Sequence, residues 1–225
     1  MSLLVPDPLI GAPSMTDWLT DAPRTLRFPE AIAHRRELLA GPHIAPLARY
    51  VEGLRAKHPD WQFQDFDPLD GGIEADLLCL LEKPGPMTST TGKRKGSGFI
   101  SRNNNDPTAQ AVFEFMIEAD IARKRTVLWN VIPGWNETIK TTNAEVRRGI
   151  EELSNLLPLL PRVKTVVLVG REAQRALPLV QALGLRVFTS AHPGRQVYRF
   201  NPDQWKAIPG QWRAAGLLVE VVSRG

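Results

Sequence analysis

The stretch Ala75-Asp76-Leu77-Leu78-Cys79-Leu80-Leu81-Glu82-Lys83-Pro84-Gly85-Pro86 decides how the chain is read. Ala75 to Leu81 is a short apolar run of the length of a buried strand, and the Pro-Gly-Pro that follows cannot continue one. Three later runs repeat the signal: Thr126 to Ile132, Thr165 to Val169 and Leu185 to Thr189. Helical patterns lie between them, at Asp106 to Ala122, Asn143 to Leu157 and Glu172 to Leu183, and a last helix is expected around Pro202 to Ala215. Strands apolar on both faces, alternating with helices, belong to a parallel sheet covered on both sides. The expected fold is therefore α/β: a three-layer α/β/α sandwich with a central four-stranded, mostly parallel sheet and an N-terminal helical extension.

That extension is read from a different pattern. The first 25 residues are rich in Pro, Asp and Thr and are expected to form an irregular arm. Phe28-Pro29-Glu30 opens a helix that Gly41 stops, because proline suits the first helical position. Ala45 to Lys57 sets Leu47, Tyr50, Val51 and Leu54 on one face, and Asp67 to Gly72 is turn chemistry. With no flexible linker and no internal repeat, residues 1–225 are expected to form one domain, with 1–74 packed on it as the helical extension.

Composition bounds the function. The 225 residues are 43% hydrophobic and 23% charged, which excludes a disordered or collagen-like chain. One cysteine, Cys79, excludes an intrachain disulfide framework and any all-cysteine zinc or iron–sulfur site. The four histidines, His34, His43, His58 and His192, are scattered, so neither a metal nor any other cofactor is expected. Met1 to Thr20 lacks the basic segment of a secretory signal, and the apolar runs are too short to span a bilayer. A monomer in the reducing cytoplasm, with no membrane partner, is expected. A net charge of +4 permits nucleic-acid binding without demanding it.

In a doubly wound sheet, ligands bind beyond the carboxyl ends of the strands. The segment after the first strand, Glu82 to Asn105, is far longer than an ordinary strand-to-helix loop. Between Lys83 and Arg102 it holds five basic residues and no acidic one. Lys93, Arg94 and Lys95 lie between glycines, as a phosphate-holding loop or a solvated one would. Asp106-Pro107-Thr108 then reads as a helix cap, with a catalytic role for Asp106 equally open. The second strand ends in Asn130, whose amide in an apolar strand must be used, either by a neighbouring loop or by a planar imide ligand. The fourth runs into His192-Pro193-Gly194-Arg195-Gln196, where His192 is either a structural turn residue or a proton-handling group. No nucleophile elbow is present.

Taken in order, these pieces resemble the uracil-DNA glycosylase superfamily, over roughly Ala75 to Ala215. Glu82-Lys83-Pro84-Gly85 is similar to the Gly-Glu-Ala-Pro-Gly motif of some of its families. Ser97-Gly98-Phe99 resembles the segment whose aromatic ring stacks on the flipped base. Asn130 falls where the family's asparagine reads uracil, His192-Pro193 where its second motif begins, and Val169 to Ala173 resembles the turn between them. The resemblance implies a monofunctional hydrolase that flips uracil, or another deaminated base, out of DNA and cleaves its N-glycosidic bond. Substrate contacts would then fall to Pro84, Gly85, Phe99 and Asn130, and catalysis to Asp106 and His192 with Glu82. Lys93, Arg94, Lys95, Arg102, Arg195 and Gln196 would face the DNA.

Three positions depart from the family. The cluster-binding branches use four cysteines, which this chain lacks. Lys83 stands where the best-known family has its water-positioning aspartate. His192-Pro193-Gly194 replaces His-Pro-Ser, and Gln196 stands where a leucine wedges into the duplex. These departures leave open a protein that binds uracil or damaged DNA without turnover, or holds it covalently, and an α/β enzyme acting on free nucleotides.

Overall fold

The computed structural model describes residues 19–91 and 95–222, with side chains as far as Leu217. The irregular arm therefore lies largely outside the described residues, as do Lys93 and Arg94. Helix α1 (Pro29–Glu37) starts on its proline and tightens into a 3₁₀ turn, and α2 (Ala45–Lys57) has the bounds the sequence pattern gives. Two short strands follow, β1 (Gln62–Phe63) and β2 (Asp65–Phe66), before the long β3 (Leu77–Leu81). Then come β4 (Phe99–Ile100), α3 (Pro107–Glu118), β5 (Thr126–Asn130), β6 (Gly134–Trp135) and α4 (Asn143–Leu156). The chain ends with β7 (Thr165–Val169), α5 (Arg171–Gln174), α6 (Leu177–Ala182), β8 (Arg186–Ser190), α7 (Arg195–Phe200) and α8 (Pro202–Val222).

The main sheet has the order β5-β3-β7-β8 and is parallel throughout. Leu77 sits opposite both Thr126 and Thr165, so β3 is central, and its Cys79 is flanked by Leu128 and Val167. The apolar residues of β3, β5 and β7 form one continuous core. Right-handed crossovers place α3 on one face and α4 on the other, because the chain first moves from β3 to β5 and then back across to β7. On the α3 face, α8 packs against β7, β8 and α3, with Phe115 edge-on to Trp205 at 4.9 Å. On the opposite face, α4 lies so close to the sheet that a Cβ on Gly149 would fall 1.8 Å from the Val131 carbonyl oxygen. Among the described residues no helix is long and apolar enough to cross a membrane.

Three local features differ from the sequence reading. The helix expected over Glu172 to Leu183 is split into α5 and α6. Pro178 lies in the first turn of α6, and in a continuous helix it would break an interior hydrogen bond. Helix α8 instead accommodates Pro209 and runs past Ala215. The two-residue pairings, β1 with β6 and β2 with β4, are too short to leave a periodic signal.

A buried ion network joins the N-terminal helices to the sheet. The Asp67 carboxylate has no exposed surface and receives Arg35 from α1 and Arg123 from the turn before β5, each at 2.6 Å, together with the Ser101 hydroxyl. Arg123 also binds Asp70 at 2.9 Å and Asp21. Burial opposes ionisation of Asp67, but the Arg123 and Arg35 guanidiniums outweigh it and hold the carboxyl at about 2. At Asp70 burial wins, aided by the charge on Asp67, and raises the carboxyl above its usual range.

The two aspartates therefore act oppositely with pH. Ionised Asp67 stabilises the fold fully above the unfolded-state value of about 4, and this contribution is lost as pH falls through about 2. Asp67→Asn takes the charged partner from buried Arg35 and one of three from Arg123, which keeps Asp70 and Asp21, and is expected to cost about 3–5 kcal/mol at neutral pH. Urea unfolding of the variant should also show a shallower loss of stability than wild type between about pH 4 and pH 2.

Candidate active site

A cavity of about 330 Å³ opens at the carboxyl ends of β3 and β5, a size suited to a small ligand. Because β3 and β7 send their following helices to opposite faces, this end of the sheet is a topological switch point. Pro84 and Gly85 from the loop after β3 form one wall, and Ile100, Val112 and Leu128 supply apolar surface. Asp106, Asn130 and His192 bring the polar groups.

Asn130 is the last residue of β5, paired with Leu81 and 5% exposed. Its Oδ1 is buried with no hydrogen-bond partner. An unmet buried acceptor costs about 1–3 kcal/mol, and turning the amide over would bury an unmet donor instead. A polar ligand group or a water molecule reaching Asn130 would meet this need.

Asp106 caps α3, its Oδ1 accepting from the Ala109 amide at 2.9 Å. The cap fixes the carboxylate at the cavity rim, and Pro107 sets the helix direction. Burial raises its carboxyl above the ordinary range, against the backbone amides of Ala109 and Thr108 and the charges of Arg24 and His192. For His192 burial has the reverse effect and lowers the imidazole below its usual value, with the Glu82 and Asp106 carboxylates opposing. The ring is therefore neutral at pH 7. Gly194 makes room for it: a Cβ there would lie 2.7 Å from His192 Nδ1. The glycine that departs from the His-Pro-Ser pattern is thus a steric requirement of this ring position.

Glu82 is not in the cavity wall. Its Oε1 accepts from the Glu172 amide at 3.1 Å at the start of α5, and it borders a second, more polar hollow of about 820 Å³. His192 and Arg195 line both spaces. Of the two candidate carboxylates, only Asp106 faces the cavity.

Two expected site residues are corrected. Phe99 does not line the cavity: it is 1% exposed and packs with Leu26 and Ala31 in a small separate core. The next residue along β4, Ile100, points the other way and lines the cavity, as strand alternation requires. Arg102 is not the exposed cation expected: it lines the cavity, but its side chain is only 4% exposed and is bound to Thr126 and paired with Asp70 at 3.7 Å. Arg195, Gln196 and Lys95 are exposed, and Arg195 stands in the cavity wall.

The sequence reading missed the role of Lys83. Its ammonium is buried, donating to Glu145 at 3.0 Å and to the Lys140 carbonyl at 2.8 Å, and it lies over Trp61 at 5.6 Å. Burial disfavours the Glu145 carboxylate, but the Lys83 and Thr142 hydrogen bonds prevail and lower it. The clasp ties the loop after β3 to the start of α4. The capping-box spacing Thr142-x-x-Glu145 was the available signal, though it shows only the helix start. Among the described residues no group of three or more His, Cys, Asp or Glu could hold a metal ion.

The fold is that of a doubly wound α/β protein, with a cavity at the carboxyl end of its parallel sheet. The sequence matches the uracil DNA glycosylase superfamily over residues 70–209, and the chain belongs to that superfamily. Among solved structures, the wild-type UNG of Nitratifractor salsuginis matches with a TM-score of 0.42 and 14% identity, covering 80% of this chain and 96% of that one. No curated protein matches the chain.

The Gly194 contact is testable without an activity assay. In Gly194→Ala only the imidazole has to move, so the melting temperature should stay near wild type. By NMR titration, the displaced His192 ring should titrate closer to the usual value of about 6.5 than the buried wild-type ring does.

Proposed function

We propose that the protein is a monofunctional DNA glycosylase that removes uracil by hydrolysing its N-glycosidic bond, leaving an abasic site. The observation that carries this reading is Asn130 in the cavity wall, with its Oδ1 left without a hydrogen-bond partner. Uracil presents an imide N–H beside a carbonyl oxygen, and one carboxamide can meet both. The base reaches such a cavity only by leaving the helix stack, and the apolar surfaces of Ile100 and Leu128 would hold its faces.

Cleavage leaves negative charge on the departing uracil and positive charge on the sugar. Neutral His192 would donate a hydrogen bond to the uracil oxygen that gains charge, and the Asn130 amide would share that stabilisation. The Asp106 carboxylate at the rim would stabilise the cationic sugar and orient the attacking water, taking the part that the family's aspartate at position 83 would have had. Pro84 and Gly85 would bound the base, and a Cβ at Gly85 would touch no protein atom, so a ligand can approach the backbone there. Lys93, Arg94, Lys95, Arg195 and Gln196 would face the DNA, with a salt-dependent contribution from the cations. The chain would act as a single domain and a monomer.

A uracil-containing oligonucleotide incubated with the protein and then treated with alkali should be cut at the uracil. No abasic product at high enzyme concentration rejects the reading, whereas tight retention of uracil-DNA without base release selects a binding protein. Asp106→Asn should slow single-turnover release by about 100- to 1,000-fold while DNA binding persists. Wild-type release should fall as pH drops through the raised Asp106 value, because only the carboxylate serves, and the variant should lack that limb. Asn130→Ala should lower the rate by roughly 10- to 100-fold and weaken discrimination against other bases.

A further inference from the structure

The short helix α7 leaves the cavity rim with two aromatic rings uncovered: Tyr198 is 64% and Phe200 69% exposed. Single exposed apolar side chains are ordinary, but these two border one hollow of about 460 Å³ with Arg195, Gln196 and Arg199. No carboxylate lines it. The Tyr198 ring is braced edge-on by Trp205, with centroids 5.2 Å apart, and the Arg199 guanidinium lies 5.4 Å from the Phe200 ring centre. Arg195 lines both this hollow and the base cavity, so the two are neighbours.

Exposed aromatic faces interleaved with arginines suit unstacked bases and their phosphates. A paired and stacked duplex hides its base faces and offers such rings only edges and backbone. We propose that α7 is a stacking platform for unpaired bases of the strand whose base enters the cavity, so that the protein prefers single-stranded to duplex DNA. The proposal rests on the DNA reading of the cavity. It names the form of DNA that this surface selects.

The test is fluorescence anisotropy with a labelled, uracil-free oligonucleotide, single-stranded and as a duplex. Wild type should bind the single strand more tightly. Tyr198→Ala and Phe200→Ala should each weaken single-strand binding by roughly 5- to 100-fold and duplex binding much less, while Tyr198→Phe keeps the wild-type affinity. The ratio of wild type to alanine variant should persist as salt weakens both, because stacking releases no counterions. Tyr198→Ala also loses its contact with Trp205. If that variant melts early, Phe200→Ala carries the test alone.

Unchanged single-strand binding in the alanine variants, or an equal loss on duplex, overturns the platform. If uracil is still released from DNA in that case, the glycosylase reading stands without it. If wild type binds neither form of DNA, both readings fall.

Discussion

The structure turns on a carboxylate that water cannot reach. Asp67 lies wholly buried, and a charge so placed survives only if opposite charges and donors are delivered to it. They come from three separate parts of the chain: Arg35 on α1, Arg123 before β5, and Ser101 in the segment after β4. That segment is therefore not a free loop. Asn103 accepts from Arg35 and Arg123 and donates to the Ala22 carbonyl, and Asn104 donates to the Phe99 carbonyl while accepting from Ser97. Two residues later Asp106 begins α3. The position of the carboxylate at the cavity rim follows from charge neutralisation deep beneath it.

The clasp between Lys83 and Glu145 plays the corresponding part on the other side of the cavity. It joins residues 62 positions apart and draws in Asn136, whose amide donates to the same Glu145 oxygen at 2.8 Å. In place of a second carboxylate at the cavity, the chain has a cation committed to holding its wall. This leaves Asp106 as the cavity's anionic group, with His192 and Arg195 lining both the cavity and the polar hollow beside it.

Much of the fold was legible because its signals are local. The run Thr165 to Val169 is a strand at its expected bounds, and α2 and the cap at Asp106 need only neighbouring residues to be recognised. Asn130 and His192 stood out for the same reason, as polar residues at the ends of apolar runs. What failed was non-local. Phe99 and Ile100 alternate on a two-residue strand, and only the pairing with β2 decides which one faces the cavity. Arg102 looks like a surface cation until Asp70 and Thr126 are brought to it by the fold. Lys83 reads as a missing aspartate until Glu145 arrives. Gly194 carries no meaning before the ring of His192 occupies the space a side chain would need.

Cys79 has so far been a central residue of β3. It is 1% exposed, and burial pushes its thiol up to about 12, so it holds its proton at neutral pH. The reactive thiolate is thus withheld from reagents in water. Because it is the only cysteine in the chain, the native surface is chemically silent toward thiol-directed probes. A cysteine placed beside the cavity or on α7 would be the one site to react, which makes the folded protein ready for site-specific labelling with no native residue removed.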